Sequence, residues 1–267
     1  MKPLKLSIIT PTLNMGQYLE QAIQGIISQN YSNCEHIVID GGSKDGTIEI
    51  LKKYPHIKWI SEPDRGLSDA LNKGINMAKG GIIGWCNADD YYLPGAFKTA
   101  IETFQNDPSL MFLYGDYRNI DIEGRPIKIR REINFDLFIL KYLHVNYIVT
   151  PASFWRKNLH DSGLMFNENL YYSMDSDFIL RSALAGHRFQ HVPILICDFR
   201  IHPETKSANP KQHEEYEMTR FWHVPLLRRM PPSLSTILRK TLLVVARVKR
   251  TIIRLSRGHY IDQWWRC

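Results

Sequence analysis

Gly80-Gly81-Ile82-Ile83-Gly84-Trp85-Cys86-Asn87-Ala88-Asp89-Asp90 is the stretch on which the fold turns. Its apolar run is too short and too interrupted by glycine for a helix, so it predicts a buried strand that ends abruptly in an amide and two carboxylates. Oxygen ligands at the carboxyl end of a strand are where an open α/β sheet places its ligand. A hard divalent cation at such a place prefers carboxylates and a phosphate-bearing substrate. A polar turn, with Asn-Ala-Asp-Asp capping the next element, fits the same residues.

Upstream, strands and helices alternate. A strand is expected over Leu6–Pro11, then a capping box with Asn14 as N-cap and Gln17 closing it. Leu19, Ala22, Ile23, Ile26 and Ile27 form an apolar stripe at helical spacing. Glu35–Asp40 predicts a second strand, closed by the turn residues 41–46, and residues 47–54 a helix. Residues 58–62 predict a third strand, followed by a helix with Ser68 as its cap and Leu67, Ala70, Leu71, Ile75 and Ala78 as its buried stripe. After the central stretch a helix is expected to start at Pro94 and bury Phe97, Ala100, Ile101 and Phe104. This alternation predicts an α/β fold with a doubly wound, mostly parallel sheet.

Beyond residue 108 the pattern loosens. A strand is expected over 110–120, a hairpin over 122–129, a short helix over 135–143 and a return to the sheet over 149–155. Residues 172–185 predict a helix carrying Asp175 and Asp177 in its first turn, where carboxylates suit the helix dipole. A strand over 189–200 and an interrupted helix over 213–229 complete a domain of residues 1–230, with halves at 1–108 and 109–230.

Composition sets bounds. With 267 residues, 44% hydrophobic and 23% charged, the chain has the balance of a soluble globular protein and can bury a sizeable core. Cys34, Cys86, Cys197 and Cys267 are scattered, which points to reduced thiols in a cytosolic setting and to no zinc site. The first residues lack a signal-peptide core, and no window reaches the roughly 18 apolar residues of a membrane span. The formal charge is +7, and residues 233–267 alone hold eight Lys or Arg against the single Asp262. The excess therefore belongs to the tail 231–267, and a nucleic-acid partner for the whole chain loses its support. The tail starts at Pro231-Pro232-Ser233 and predicts a basic amphipathic helix. Leu238, Thr241, Leu242, Val244, Val245, Val248, Ile252 and Leu255 lie on one side, and Arg239, Lys240, Arg247, Arg250, Arg254 and Arg257 on the other.

Asp40 and Asp89 end strands of one parallel sheet, so they are expected to line one crevice. The same segments resemble family 2 glycosyltransferases, which have the GT-A fold. The resemblance rests on Ser7-Ile-Ile-Thr-Pro-Thr-Leu-Asn14, Val38-Ile-Asp-Gly-Gly-Ser-Lys-Asp-Gly-Thr47, Asp69-Ala-Leu-Asn-Lys-Gly-Ile75, Asn87-Ala-Asp-Asp90 and Tyr172-Ser-Met-Asp-Ser-Asp-Phe-Ile-Leu-Arg181. It covers roughly residues 5 to 207, and ordered motifs are more specific together than any one alone.

The resemblance implies an inverting, metal-dependent hexosyl- or related glycosyltransferase. It would move a sugar from a nucleotide-sugar donor to a hydroxyl of a glycan or lipid-linked saccharide. Thr10, Pro11, Asn14, Asp40, Asp69, Lys73, Asn87, Ala88, Asp89, Arg200 and Lys206 would border the donor. Asp89 would hold Mg²⁺ or Mn²⁺, with Asp90 and His202 as further candidate ligands. Asp175 would be the general base, with Asp177 competing for that role. For Lys73 and His202 an ordinary structural role stands beside the functional one, and for Ser153, Phe154 and Trp155 core packing stands beside an acceptor contact.

Two departures from the family pattern stand out. Gly41 occupies a position where many members have a base-recognising Asp, and Asn87 replaces the first Asp of the metal motif. A non-catalytic scaffold acting through its tail is the rival reading. A nicotinamide-dependent oxidoreductase ranks far below, because GxGxxG is missing after the first strand. For the tail, contact with an anionic membrane surface and packing on the domain or on a second subunit both stand. The chain is expected in the cytoplasm, and the membrane reading of the tail would place it peripherally on the inner face of the membrane.

Overall fold

The computed structural model describes residues 4–143, 146–203, 215, 219, 223 and 229–258. Strands β1 (Leu6–Thr12), β2 (Cys34–Asp40), β3 (Lys58–Ser61) and β4 (Ile82–Trp85) lie side by side and parallel in the order β3-β2-β1-β4. Helices α1 (Gly16–Ile27), α2 (Thr47–Lys52) and α3 (Leu67–Met77) connect them. Every residue of β1 is buried. Both faces of the sheet are covered, which is why its strands read as continuous apolar runs. Ile9, Ile37 and Ile39 meet Ala70, Leu71 and Ile75 of α3 on one side, and Leu6 and Ile8 meet Ala22 and Ile26 of α1 on the other. Helix α3 sits so close that a Cβ on Gly74 would stand 2.4 Å from Cγ2 of Ile9.

The second half continues the same sheet. It adds β5 (Tyr91–Tyr92), α4 (Ala96–Asn106), β6 (Leu110–Ile120), β7 (Pro126–Arg130), α5 (Leu137–Tyr142), β8 (Ser153–Arg156), α6 (Asn158–Asp161), α7 (Met174–Leu184) and β9 (Arg188–Arg200). The strand order continues from β4 through β8, β6 and β9 to β5, and β7 forms a hairpin with β6. Strand β8 runs antiparallel to both neighbours, whereas β6 and β9 run parallel. The fold is the expected α/β, doubly wound sheet, with the mixed pairings confined to this half.

Several local expectations need correction. Asn14 is not the N-cap of α1: it takes a left-handed φ of 53° and binds the next loop, with Oδ1 accepting from the Lys44 N–H at 2.9 Å. The first amide of α1 is capped from a distance instead, by Oδ2 of Asp45, which accepts from the Gly16 N–H at 2.8 Å. Ile27 is 41% exposed because α1 has turned it past the sheet. Gly66 occupies the N-cap of α3, so Ser68 lies inside the first turn and is buried. Helix α4 starts at Ala96, not Pro94, because Tyr91 and Tyr92 are drawn into pairing with β9 and Gly95 makes the entry at a φ of 88°.

Ser153, Phe154 and Trp155 are core residues. Trp155 stacks on Phe112 with ring centroids 5.7 Å apart and donates its indole N–H to His160 Nε2 at 2.7 Å. The helix expected over 213–229 lies almost entirely outside the described residues. The tail forms one helix, Pro232–Ser256. No helix among the described residues is long and apolar enough to cross a membrane.

Glu35 at the start of β2 is a buried tie between segments. Its carboxylate accepts from Ser7 Oγ, the Lys79 N–H and Lys58 Nζ, each at 2.6 Å, and Lys5 Nζ lies 3.2 Å away. Burial works against its ionisation, but Lys58, Ser7, Lys79 and Lys5 outweigh it and hold the carboxyl down at about 2, from an ordinary 4.5. A depressed folded-state value means the stabilisation is complete above the ordinary range and is lost as pH falls from there toward 2. Thermal melts of the protein and of Glu35→Gln should therefore differ most near neutral pH and converge between pH 4.5 and 2. A difference independent of pH would contradict this assignment.

Candidate active site

Strand β4 ends in Trp85, and the side chains that follow lock one another in sequence. The Trp85 indole N–H donates to Oδ1 of Asn87 at 2.6 Å, and Nδ2 of Asn87 donates to Oδ2 of Asp90 at 2.8 Å. The backbone N–H of Arg200 donates to the other oxygen of Asp90 at 2.8 Å. Asp90 is 1% exposed. Burial and then the nearby Asp89 charge push its carboxyl well above the usual range, with the Arg200 N–H and Asn87 opposing them. Asp90 is thus not aimed at the crevice as a metal ligand. It is the internal brace that sets Asn87 and the end of β9.

The brace also accounts for the amide at position 87. Asn87 accepts with one end and donates with the other, which a carboxylate could not do against buried Asp90. Ala88 beside it is buried in the core cluster that holds Leu19 and Ile23.

Arg200 does not face donor phosphates. It is 1% exposed, and its guanidinium donates to the Asp89 carbonyl at 3.0 Å, the Asp121 and Ile122 carbonyls at 2.9 and 2.8 Å, and Gln21 Oε1 at 2.6 Å. It also lies 4.6 Å from the Tyr18 ring centroid. With its hydrogen-bonding edge spent on carbonyls, the side chain clamps the loop after β4 to the β6–β7 turn and to α1. Lys206 lies outside the described residues.

What the clamp leaves accessible is the Asp89 side chain, and His202 meets it. His202 Nε2 stands 3.0 Å from Asp89 Oδ2, and the two side chains keep 7% and 18% of their exposure. Two cis ligands of an octahedral cation, each about 2.1 Å from it, stand about 3.0 Å apart, so the pair fits a small divalent ion as well as it fits a hydrogen bond. Among the described residues no cluster of three or more His, Cys, Asp or Glu could hold a metal. The remaining positions would fall to water and donor phosphate, which is how Mg²⁺ is usually held.

On the β1–β2 side, the expected donor contacts turn mostly inward. Thr10 is fully buried, and its hydroxyl pairs with His36 Nε2 at 2.9 Å. Burial pushes that imidazole down to about 3, so it is neutral. Pro11 is buried in β1. Asp40 is fully buried too, and its carboxylate organises the following turn, accepting from the Gly42 and Ser43 N–H groups, the Ser43 hydroxyl and, at 2.6 Å, the Ser61 hydroxyl. The Thr10 and Asp40 side chains are thus spent on contacts within the fold. Asn14 remains exposed at the rim.

A carboxylate nevertheless reaches the place where Gly41 lacks one. Oδ2 of Asp64 lies 2.7 Å from where a Cβ on Gly41 would be. Asp64 also accepts from the Gly66 N–H at 2.9 Å, which turns the chain into α3. No spacing rule in the sequence pairs residue 64 with residue 41, so this juxtaposition was not foreseen.

Helix α3 joins the two halves. Asp69 accepts from the Arg65 N–H at 3.0 Å and from its guanidinium at 3.2 Å, and Lys73 Nζ lies 3.5 Å away. The Arg65 N–H, then the Arg65 side chain and Lys73, hold its carboxyl below the usual range against the cost of burial. Lys73 is itself paired with Glu62 at 2.8 Å, and Arg65 with Glu168 at 2.6 Å. Asn72, an unforeseen residue, exchanges hydrogen bonds with the Phe166 backbone at 3.0 Å in both directions. Phe166 packs edge-on to Trp85 with centroids 5.6 Å apart, so the segment leading to α7 leans on the end of β4.

At the start of α7 the two acidic candidates part company. Asp177 is buried, with Arg181 at 2.7 Å on one oxygen and His223 at 3.0 Å on the other. Burial opposes its ionisation, but His223 and Arg181 hold it below the usual range. Asp175 is half-buried, its oxygens accepting from the Ser176 N–H at 2.6 Å and from Asn146 Nδ2 at 3.2 Å. Asn146 was not foreseen, since a lone amide in a loop carries no signal.

A model of glycosyl transferase family 2 matches residues 7–163. A chondroitin synthase of Escherichia coli is 26% identical over 206 residues, which are 76% of this chain and 30% of that protein. A hyaluronan synthase of Pasteurella multocida is 25% identical over 206 residues, which are 76% of this chain and 21% of that protein. The chain thus spans well under half the length of these relatives. Among solved structures, S. aureus TarS 1–349 in complex with UDP-GlcNAc aligns with a TM-score of 0.66 at 18% identity, covering 90% of this chain and 70% of that one. A mannosyltransferase of Pyrobaculum calidifontis in complex with GDP-Man and Mn²⁺ aligns with a TM-score of 0.65 at 16% identity, covering 99% and 82%. These two share the fold of this chain.

The clamp makes a sharp prediction. Arg200→Lys keeps the charge but not the fork of donors, so the Asp121, Ile122 and Gln21 oxygens lose partners. A loss of about 2–4 kcal/mol is expected in denaturant unfolding. A change below about 0.5 kcal/mol, the scale of an ordinary surface substitution, would show that the clamp is not structural.

Proposed function

Since the chain belongs to glycosyl transferase family 2, we propose that it transfers a sugar from a nucleoside-diphosphate donor to a hydroxyl of a glycan or lipid-linked saccharide, inverting the anomeric carbon. The meeting of Asp89 and His202 at 3.0 Å, on a crevice bordered by the β1, β2 and β4 loops, carries this reading. These two side chains would hold Mg²⁺ or Mn²⁺. When bound, the cation neutralises charge developing on the leaving diphosphate.

The chain's own residues supply the rest. Arg200 holds the Asp89 carbonyl and is itself fixed by Asp90, so the Asp89 carboxylate is presented from a preorganised loop. Asn14, Asp64, Asp69 and Lys73 border the nucleoside side of the crevice, and Asp64 takes the place of the carboxylate missing at Gly41. Asp175 accepts the proton of the attacking hydroxyl. Asn146 and the Ser176 N–H orient its carboxyl group, and its partial exposure leaves it reachable. Asp177 is unsuited to that task, because it is buried and tied to the Arg181 guanidinium and to His223.

Asp175→Asn should lower turnover by a factor of about 10² to 10⁴, the range of general-base catalysis. Its calorimetric affinity for the nucleoside diphosphate should stay within about twofold, because uniform donor binding does not involve the base. Equal loss of turnover and affinity would show that Asp175 belongs to the donor site.

A further inference from the structure

The tail helix Pro232–Ser256 is docked the wrong way round for a helix that only completes a core. Its small and cationic side faces the domain. Ala246 is fully buried, and Leu243 and Ile253 pack on the main core. Arg250 reaches buried Glu132 at 2.6 Å, and Lys249 reaches Asp136 at 2.5 Å. Those two cations also lie over aromatic rings, Arg250 at 5.8 Å from the Tyr147 centroid and Lys249 at 5.4 Å from that of Phe138.

The apolar side faces away. Leu234, Ile237, Val244, Val248, Ile252 and Leu255 are each 50–63% exposed and recur at helical spacing, so they form one continuous stripe along the outer face. An amphipathic helix ordinarily buries that side. Here specific ion pairs hold the opposite side down, and the stripe is left as the outer surface.

We propose that this stripe docks flat on an anionic lipid bilayer. Charge decides between a bilayer and a second copy of the chain. From Pro232 to Ser256 there are six Lys or Arg and not one Asp or Glu. Two copies meeting along the stripe would bring like charges together with no acid on either helix to pair them. Lys240 and Arg247 lie along one border of the stripe and are exposed. At a bilayer their stems cover apolar surface while their charged heads reach lipid phosphates. The helix lies on the surface and does not span it.

This docking stands independently of the transferase reading, and on that reading it has a consequence. Tyr147, beneath Arg250, follows Asn146, whose side chain donates to Asp175. The membrane-facing helix is therefore anchored beside the residue that holds the catalytic carboxylate.

The test is co-sedimentation of the purified full chain with phosphatidylcholine vesicles made with and without phosphatidylglycerol. Vesicles containing phosphatidylglycerol should pellet the protein, and binding to pure phosphatidylcholine should be at least about tenfold weaker. Val244→Asp combined with Ile252→Asp should cut binding at least about tenfold, as apolar burial in the interface is lost. Lys240→Ala combined with Arg247→Ala should weaken it by about an order of magnitude. All substituted side chains are exposed, so melting temperatures should be unchanged and confirm that the variants are folded. Failure of the folded wild type to bind either vesicle would overturn the proposal. So would undiminished binding by the aspartate variant, or a dimer seen by light scattering that this variant abolishes while vesicles bind neither protein.

Discussion

A buried guanidinium holds the candidate site together. Removing a charge from water is costly unless its hydrogen bonds are replaced, and Arg200 replaces them with carbonyls from the loop after β4 and the β6–β7 turn, and with Gln21 of α1. Its own backbone N–H completes the arrangement by binding Asp90. Because these partners lie on three separate segments, the geometry of the crevice is over-determined. Arg200 engages Asp89 through its carbonyl, so the Asp89 side chain meets only the crevice side, where His202 stands.

The same economy explains the two departures from the family pattern. Asn87 is an amide because it must donate to buried Asp90 and accept from Trp85 at once. A carboxylate there would offer Asp90 no N–H donor and would add a further acid beside Asp89 and Asp90. Gly41 is small because Asp64 already occupies the space a side chain would need. Both departures are accommodated by neighbours, which argues against reading them as losses.

The parallel half of the fold was legible in the sequence, because strands covered on both faces, such as β1 and β2, appear as unbroken apolar runs. Tyr91 and Tyr92 were not legible as a strand, since a two-residue pairing with β9 is decided by a partner far away in the chain. At the site, motif position singles out Asp89 and Asp175, and the structure leaves both side chains partly exposed, with His202 3.0 Å from Asp89. Thr10, Asp40, Asp90 and Arg200 were assigned to the ligand for the same reason, yet they face inward. An arginine that binds phosphate and one that binds carbonyls look alike until their surroundings are known. Asp64, Asn72 and Asn146 were missed because their partners lie far off in sequence or, for Asp64, in a loop that no motif links to Gly41. The tail helix was recognised as basic and amphipathic, but which side met the domain depended on Glu132 and Asp136, which periodicity cannot reveal.

The proposed function rests on Asp89 and His202 holding a cation against a nucleoside diphosphate. The most direct measurement is calorimetric titration of the purified protein with UDP, GDP, dTDP and CDP, each with and without Mn²⁺, repeated on Asp89→Ala. One nucleotide should bind the wild type at least about tenfold more tightly with Mn²⁺, and this gain should vanish in the variant, since a ligand's effect follows its differential affinity. Absence of binding by any nucleotide to the folded protein, or binding indifferent to both Mn²⁺ and Asp89, would contradict the account.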